Sequence, residues 1–250
     1  MTTIALPRRL LAEFIGTAML VTVVVGSGIA AAQLSPGDVG LQLLENSTAT
    51  AFGLAVLILL FGPVSGAHFN PVVTGADWLL GRRAGTGISA RHAAAYLLAQ
   101  LTGGIAGAFL GNVMFDRRIL ELSTKDRITT GHLVGEVLAT AGLIAVIFAL
   151  ARTRRAALSA AAVGAYIGAA YWFTSSTSFA NPAVTIGRLF SNTFAGISPA
   201  SAPGFIAAQI IGALIGLALI AVLYPDAART ADEVVVSHHS KTPVDQRSSP

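Results

Sequence analysis

Two Asn-Pro pairs are the residues best suited by type and position to act on a solute. Asn70-Pro71 and Asn181-Pro182 each open a short apolar stretch. An Asn side chain caps the free N–H groups of a helix start, and Pro suits the first helical position because that position needs no donor. A helix start also carries about half a positive charge. Such a site repels cations, while its Asn amide donates a hydrogen bond to the oxygen of an uncharged solute.

The segments that follow these pairs must position them. Residues 70–80 and 181–191 are each too short to cross a bilayer alone. At 1.5 Å of rise per residue, two helices of about 10 residues placed end to end span roughly 30 Å, one hydrocarbon thickness. The sequence therefore predicts a single broken crossing, with the two helix starts meeting at its centre.

Composition predicts an all-α membrane protein. Of the 250 residues, 54% are hydrophobic and only 11% are charged, whereas about 25% are charged in soluble proteins. The net charge of +4 could suggest nucleic acid binding, but most of the basic residues lie before the first span, in short loops and in the tail. By the positive-inside rule this distribution predicts cytoplasmic termini and an even number of spans, and it argues against nucleic acid as a partner. Six spans are predicted at residues 9–32, 46–64, 91–115, 132–151, 157–174 and 203–224.

The chain repeats itself. Glu13 and Glu136 lie in matched segments of the first and fourth spans, and a Gln-x-x-Gly-x-x-x-Gly pattern begins at Gln100 and again at Gln209. Each repeat holds three spans and one short segment, and because three is odd the second repeat must be inverted relative to the first. We expect a channel domain over residues 1–225, with repeats at 8–115 and 131–224, and a disordered cytoplasmic tail over 226–250.

The matched boxes SGAHFNPV and SFANPAV, with the AEFIGT segment of the first span, resemble the aquaporin and aquaglyceroporin family over residues 10–223. The resemblance implies six transmembrane helices and two re-entrant half-helices in inverted repeats. It also implies a homotetramer in the bilayer, with one pore per protomer. The boxes are Asn70-Pro71-Val72, where the family usually has Ala at the third position, and Asn181-Pro182-Ala183.

The residues at the predicted selectivity filter depart from the family pattern. The family usually has Arg directly after the second box, and this chain has Val184. Counting from the two Asn residues gives the other filter positions as Thr50, Ala169 and Ser178. This set predicts a wide, uncharged constriction and looks like a bacterial aquaglyceroporin subgroup associated with arsenic resistance. The resemblance implies passage of arsenite, other neutral metalloid acids, glycerol and water across the bacterial inner membrane.

Three further polar residues have alternative interpretations. Glu13 and Glu136 could relay protons, but the resemblance favours hydrogen bonds to irregular backbone before each half-helix. His68 is expected to brace the same backbone, because no other histidine lies nearby to complete a metal site, and no cofactor is expected. Arg188, one turn after Val184, either restores a filter charge, or else snorkels to the outer water or binds a loop carbonyl. The second alternative is favoured, so that Arg188→Ala should leave solute choice unchanged.

Other functions remain as alternatives. An intramembrane hydrolase would need Ser65 and His68 as nucleophile and base, but the matching Ser176 has no histidine nearby. A proton-coupled transporter would use Glu13 and Glu136. Within the channel class, a water-selective pore and a glycerol or urea facilitator are the alternatives to a metalloid channel.

Overall fold

The computed structural model describes residues 4–82 and 85–224, and the predicted tail at 226–250 lies outside them. No β-strand occurs in these residues. A three-residue 3-10 turn, Ala156–Leu158, precedes the sixth helix. In order, the helices are α1 (Leu6–Leu34), α2 (Val39–Ser65), α3 (Pro71–Gly81), α4 (Ala90–Met114), α5 (Thr130–Arg152), α6 (Ser159–Phe173), α7 (Pro182–Arg188) and α8 (Ala202–Leu223).

The predicted architecture of six spanning helices and two half-helices is confirmed. Six helices are long and apolar enough to cross a membrane within the described ranges, once the 3-10 turn is counted with α6. The two remaining helices, α3 and α7, have 11 and 7 residues. Each half-helix begins at a predicted Pro, directly after its Asn.

Three predicted boundaries were wrong by three residues or more. Helix α1 begins at Leu6 instead of residue 9, with Pro7 in its first turn. Helix α2 begins at Val39 instead of residue 46, because the Asp38 side chain accepts a hydrogen bond of 2.9 Å from the backbone N–H of Leu41 and caps the helix early. Helix α7 ends at Arg188 instead of residue 191. There the backbone tightens, and the N–H of Phe190 donates to the carbonyl of Gly187 at 3.1 Å.

The helices pack as two equivalent halves. Helix α1 packs against α2 and α4, and α5 packs in the same way against α6 and α8. Helix α7 of the second half contacts α4 of the first, and α3 of the first half contacts α8 of the second. Each half-helix is therefore held by spanning helices from both repeats, which brings the two Asn-Pro pairs to one place.

The repeated glycine pattern allows the spanning helices to approach closely. A Cβ atom on Gly107 of α4 would lie 2.1 Å from the carbonyl oxygen of Ala18 in α1. A Cβ atom on Gly216 of α8 would lie 2.6 Å from the carbonyl oxygen of Ala141 in α5. Any larger residue would push these pairs apart, and with them the half-helices packed between the repeats.

Candidate pore

Both predicted Asn caps are present at the half-helix starts. The Oδ1 atom of Asn70 accepts from the backbone N–H of Val72 at 3.1 Å. The Oδ1 atom of Asn181 accepts from the N–H groups of Ala183 at 2.9 Å and Val184 at 3.3 Å. Pro71 and Pro182 occupy the first helical positions. Because Pro has no backbone N–H, neither helix leaves an unpaired N–H at this position.

The two Asn side chains also join the repeats. The Nδ2 atom of Asn70 donates to the carbonyl of Ala180 at 2.8 Å, and that of Asn181 donates to the carbonyl of Phe69 at 2.8 Å. The half-helix starts therefore abut, as the sequence predicts. An amide nitrogen carries two hydrogens, so each Asn keeps one N–H for a solute.

The backbone before each helix start is strained in the same way. Ala67 and Phe69 have φ of 49°, and the matching Ser178 and Ala180 have φ of 48°. Residues with a Cβ rarely adopt this left-handed conformation, at a cost of about 1–3 kcal/mol each. Such a turn persists only where its surroundings fix it.

Glu13 of α1 fixes the first strained turn. Its Oε1 atom accepts from the N–H of His68 at 3.0 Å and the hydroxyl of Ser65 at 2.6 Å. Its Oε2 atom accepts from the N–H of Phe69 at 2.8 Å and the Nε2 of Gln100 at 2.7 Å. Four donors hold this carboxylate, which is fully buried.

Glu136 of α5 does the same in the second repeat. Its carboxylate accepts from the backbone N–H groups of Phe179 at 2.8 Å and Ala180 at 2.9 Å, and from the Nε2 of Gln209 at 2.7 Å. Neither Glu136 nor Glu13 lines the cavity between the half-helices. This geometry fits backbone bracing and gives no support to a proton relay.

A cavity of about 600 Å³, its mouth included, runs past both Asn side chains. Thr50, Ser178 and Val184, three of the four predicted filter residues, line this cavity, and so does His68. The Oγ1 atom of Thr50 lies 3.3 Å from the hydroxyl of Tyr171. The wall is formed mostly by apolar side chains of α1, α2, α5 and α6, and its polar members are Thr50, His68, Asn70, Tyr171, Ser178, Asn181 and Arg188.

The assignment of Ala169 to the filter needs correction. Ala169 is exposed on the outer face of α6, whereas Ile167 and Tyr171 line the cavity. Successive helical residues are turned by about 100°, so a residue two positions from each of these faces away from the cavity. Val163, Ile167 and Tyr171 recur every four residues, and this spacing is the sequence signal that would have identified the wall.

His68 braces the backbone as expected, and it also lines the cavity. Its backbone N–H donates to Glu13, while its ring Nδ1 lies 3.0 Å from Thr74 Oγ1 and the ring packs against Tyr96. Its side chain lines the cavity. In residues 4–82 and 85–224, no three His, Cys, Asp or Glu residues are grouped to hold a metal ion.

Arg188 lies in the cavity wall and also binds a loop carbonyl. Its Nε atom donates to the carbonyl of Ala195, and its guanidinium carbon lies 3.4 Å from the centre of the Phe179 ring. The side chain is 2% exposed. The expectation of an uncharged constriction is therefore incomplete, because a cation contributes to the wall four residues after Val184.

Two more cations hold the loop to which Arg188 binds. Arg127 donates from Nε to the carbonyl of Gly196 at 2.8 Å and from Nη2 to that of Phe194 at 3.1 Å. Lys125 donates from Nζ to the same Phe194 carbonyl at 2.9 Å. Burial lowers the pKa of Arg127 to about 10, and burial with the neighbouring arginines lowers the pKa of Lys125 to about 8.

Known proteins are similar to this chain in sequence and in fold. A family model described as major intrinsic protein matches residues 1–179 and 158–247. The chain is 48% identical over 215 residues to the aquaglyceroporin AqpS of Rhizobium meliloti (strain 1021), covering 86% of this chain and 89% of that one. It is 30% identical over 252 residues to aquaporin-2 of Homo sapiens, covering 93% of this chain and 85% of that one.

The solved structure of the aquaglyceroporin from Plasmodium falciparum has the same fold, with a TM-score of 0.62 at 19% sequence identity. The match covers 89% of this chain and 99% of that chain. The sequence identity, the fold and the two Asn-Pro boxes all indicate the same family. The chain therefore belongs to the major intrinsic protein family, whose aquaglyceroporins are membrane channels and not enzymes.

Proposed function

We propose that this protein is a passive channel for water, glycerol and neutral metalloid acids such as undissociated arsenite. The observation that carries the proposal is the pair of Asn amides, held to each other's repeat at 2.8 Å, on the wall of one cavity. Each presents one spare N–H beside an electropositive helix start. A solute with oxygen lone pairs and no charge is the best match for these groups.

The preference for solutes larger than water rests on Val184. This residue directly follows the second box and lines the cavity with a short apolar side chain. Thr50 and Ser178 add two small hydroxyl-bearing side chains to the same wall. Small side chains at these positions favour a molecule with three hydroxyl groups, a feature that glycerol and undissociated arsenite share. Similarity to an aquaglyceroporin supports this choice over a water-selective pore.

The hydrogen bonds of Ser65, Glu13 and Glu136 count against an intramembrane hydrolase and a proton-coupled transporter. Ser65 donates its single hydroxyl proton to Glu13, so it is not activated by a histidine as a hydrolase nucleophile must be. Glu13 and Glu136 have their oxygens occupied by three or four donors each and stand outside the cavity. A proton-coupled transporter needs such a carboxylate on the solute path.

We propose a homotetrameric assembly and cytoplasmic termini, from the exposed side chains, the basic residues and the family of this chain. Large apolar side chains such as Phe52, Leu59 and Val222 are more than half exposed on the outer face, which suits lipid or a second copy. A homotetramer in the bacterial inner membrane, with one pore per protomer, fits that surface. Arg152 at the end of α5 and Arg154 and Arg155 in the short loop that follows form a basic cluster, which favours cytoplasmic termini. Repeat boundaries at residues 8–115 and 131–224 fit the helix order.

Replacing Val184 with Arg tests the solute range. The longer side chain would project into the cavity beside Arg188 and narrow it, so arsenite and glycerol fluxes should fall more than water flux. Val184→Leu, which adds bulk without charge, is the matched control. Stopped-flow measurements on proteoliposomes with the three solutes provide the comparison. Equal loss of all three solutes in Val184→Arg would count against Val184 as the residue that sets solute size.

A further inference from the structure

We propose that Arg188 and Ser178 form an oxygen-binding subsite in the cavity wall, which binds uncharged hydroxylated solutes and rejects cations. The inference rests on the proposed channel function and names the residues that give it charge selectivity. It reverses the sequence expectation that Arg188 has no part in solute choice. The solute class is a polyol or an undissociated oxyacid, whose oxygens accept from a guanidinium and exchange a hydrogen bond with a hydroxyl.

Both side chains have unused hydrogen-bonding capacity. The Nη1 atom of Arg188 and the Oγ atom of Ser178 are buried and have no hydrogen-bond partner within the described part of the chain. Both residues line the cavity. Buried donors in folded proteins are nearly always paired, with protein or with solvent. At a cavity wall, the partner for these atoms is an oxygen of water or of a passing solute.

The guanidinium is fixed in place for this role. Its Nε atom is anchored on the carbonyl of Ala195, and its plane rests on Phe179. Arg127 lies over the same ring at 5.2 Å and holds the loop carbonyls beyond it. A side chain ordered in advance loses little freedom when a solute arrives, and its planar fork keeps fixed donor directions.

The equivalent position of the first repeat anchors a loop without lining the cavity. Asp77 lies seven residues after Asn70, as Arg188 lies seven after Asn181. The Oδ2 atom of Asp77 accepts from the backbone N–H of Ile88 at 3.0 Å, and Asp77 is not part of the cavity wall. Anchoring a loop therefore needs neither a cation nor a place on the wall. Arg188 has both.

The position of the charge gives it a function. The two half-helix starts already make the centre of the cavity electropositive. Arg188 adds a full positive charge nearer the loop formed by residues 189–201. A cation entering from that side meets the guanidinium in surroundings with little water, where charges act more strongly than in bulk solvent. An uncharged molecule feels no such repulsion and gains a donor.

Cation leakage through Arg188→Gln tests the inference. Vesicles containing the wild type, Arg188→Gln or Lys125→Gln are assayed for water, glycerol and methylammonium flux. Lys125 is the matched control, because it is a cation bound to the same loop but is not on the cavity wall. We expect methylammonium flux relative to water to rise about tenfold in Arg188→Gln, equivalent to about 1.4 kcal/mol, and to stay within about twofold in Lys125→Gln. An unchanged ratio in Arg188→Gln, or an equal rise in both variants, would overturn the inference.

Ser178→Ala keeps the inference testable even where Arg188→Gln does not reconstitute. Ala67 occupies the matching position of the first repeat with φ of 49°, so alanine fits this backbone. Loss of the hydroxyl should lower glycerol flux relative to water by about threefold or more, in line with one lost hydrogen bond. An unchanged ratio refutes the subsite. The wild type is the separate check on the channel itself, because failure of wild-type glycerol and water flux would refute the proposed function instead.

Discussion

Replacing Asn181 with Asp should turn a pore that rejects cations into one that conducts them. Asp caps a helix start about as well as Asn, so the bonds from Ala183 and Val184 to the side-chain oxygen are retained. The substitution removes the donor that holds the carbonyl of Phe69 at 2.8 Å and places a negative charge on the cavity wall. The fold is kept while the electrostatic field at the centre is reversed.

The size of the effect follows from the two helix starts that meet there. At an effective dielectric constant of about 20, half a charge about 5 Å from a cation repels it by roughly 1.7 kcal/mol, and two such starts by roughly 3 kcal/mol. A carboxylate about 4 Å from the same cation attracts it by roughly 4 kcal/mol. The barrier for a monovalent cation should therefore fall by about 4 kcal/mol, which is roughly a thousandfold in rate.

The assay is potassium and methylammonium flux into proteoliposomes at neutral pH, with water flux as the measure of folded channel. Asn112→Asp is the control. Asn112 is fully buried and donates to the carbonyl of Phe190 at 2.8 Å, but it does not line the cavity. Cation flux that is unchanged in Asn181→Asp, or raised equally in Asn112→Asp, would refute the role assigned to the helix starts.

Three further predictions concern packing, bracing and titration. Gly107→Ala puts a Cβ about 2.1 Å from the Ala18 carbonyl oxygen and should lower the thermal midpoint in detergent, whereas Gly75→Ala meets nothing within 4 Å and should not. Glu136→Ala leaves three buried donors without an acceptor, at about 1–3 kcal/mol each, and should abolish water flux and lower the yield of folded protein. Acylation of Lys125, followed by mass spectrometry, should have its midpoint near pH 8, against about 10.4 for a lysine in a free peptide. Because this pKa is lowered on folding, the folded state binds fewer protons and its stability should rise with pH across that window.

The sequence was sufficient to predict the centre of the pore because local and global signals coincide there. Asn70 and Asn181 are helix caps by residue type, and their inverted repeats require them to meet. The helix boundaries depend on contacts for which the sequence carries only a weak signal. The cap at Asp38 extends α2 by seven residues into the stretch between the first two predicted spans.

The filter was predicted less well because its residues come from elements joined by irregular backbone. Counting from a motif fixes sequence distance but not helical phase. The count therefore points to Ala169, whereas Tyr171 and Ile167 line the cavity. The burial of Arg188 depends on the carbonyl of Ala195, whose position follows from loop folding. No periodic pattern encodes that contact.

The two repeats form a pore only because each completes the other. In each Asn side chain the oxygen caps its own half-helix and one amide hydrogen binds the opposite repeat, through Ala180 for Asn70 and Phe69 for Asn181. One amide hydrogen per Asn is left, and it is a donor. The spare group at the centre can therefore recognise only an acceptor, and both neighbouring helix starts repel positive charge. A cation such as ammonium gains nothing from these spare donors and is repelled by both helix starts, so selection for uncharged oxygen-bearing solutes follows from how the repeats are joined.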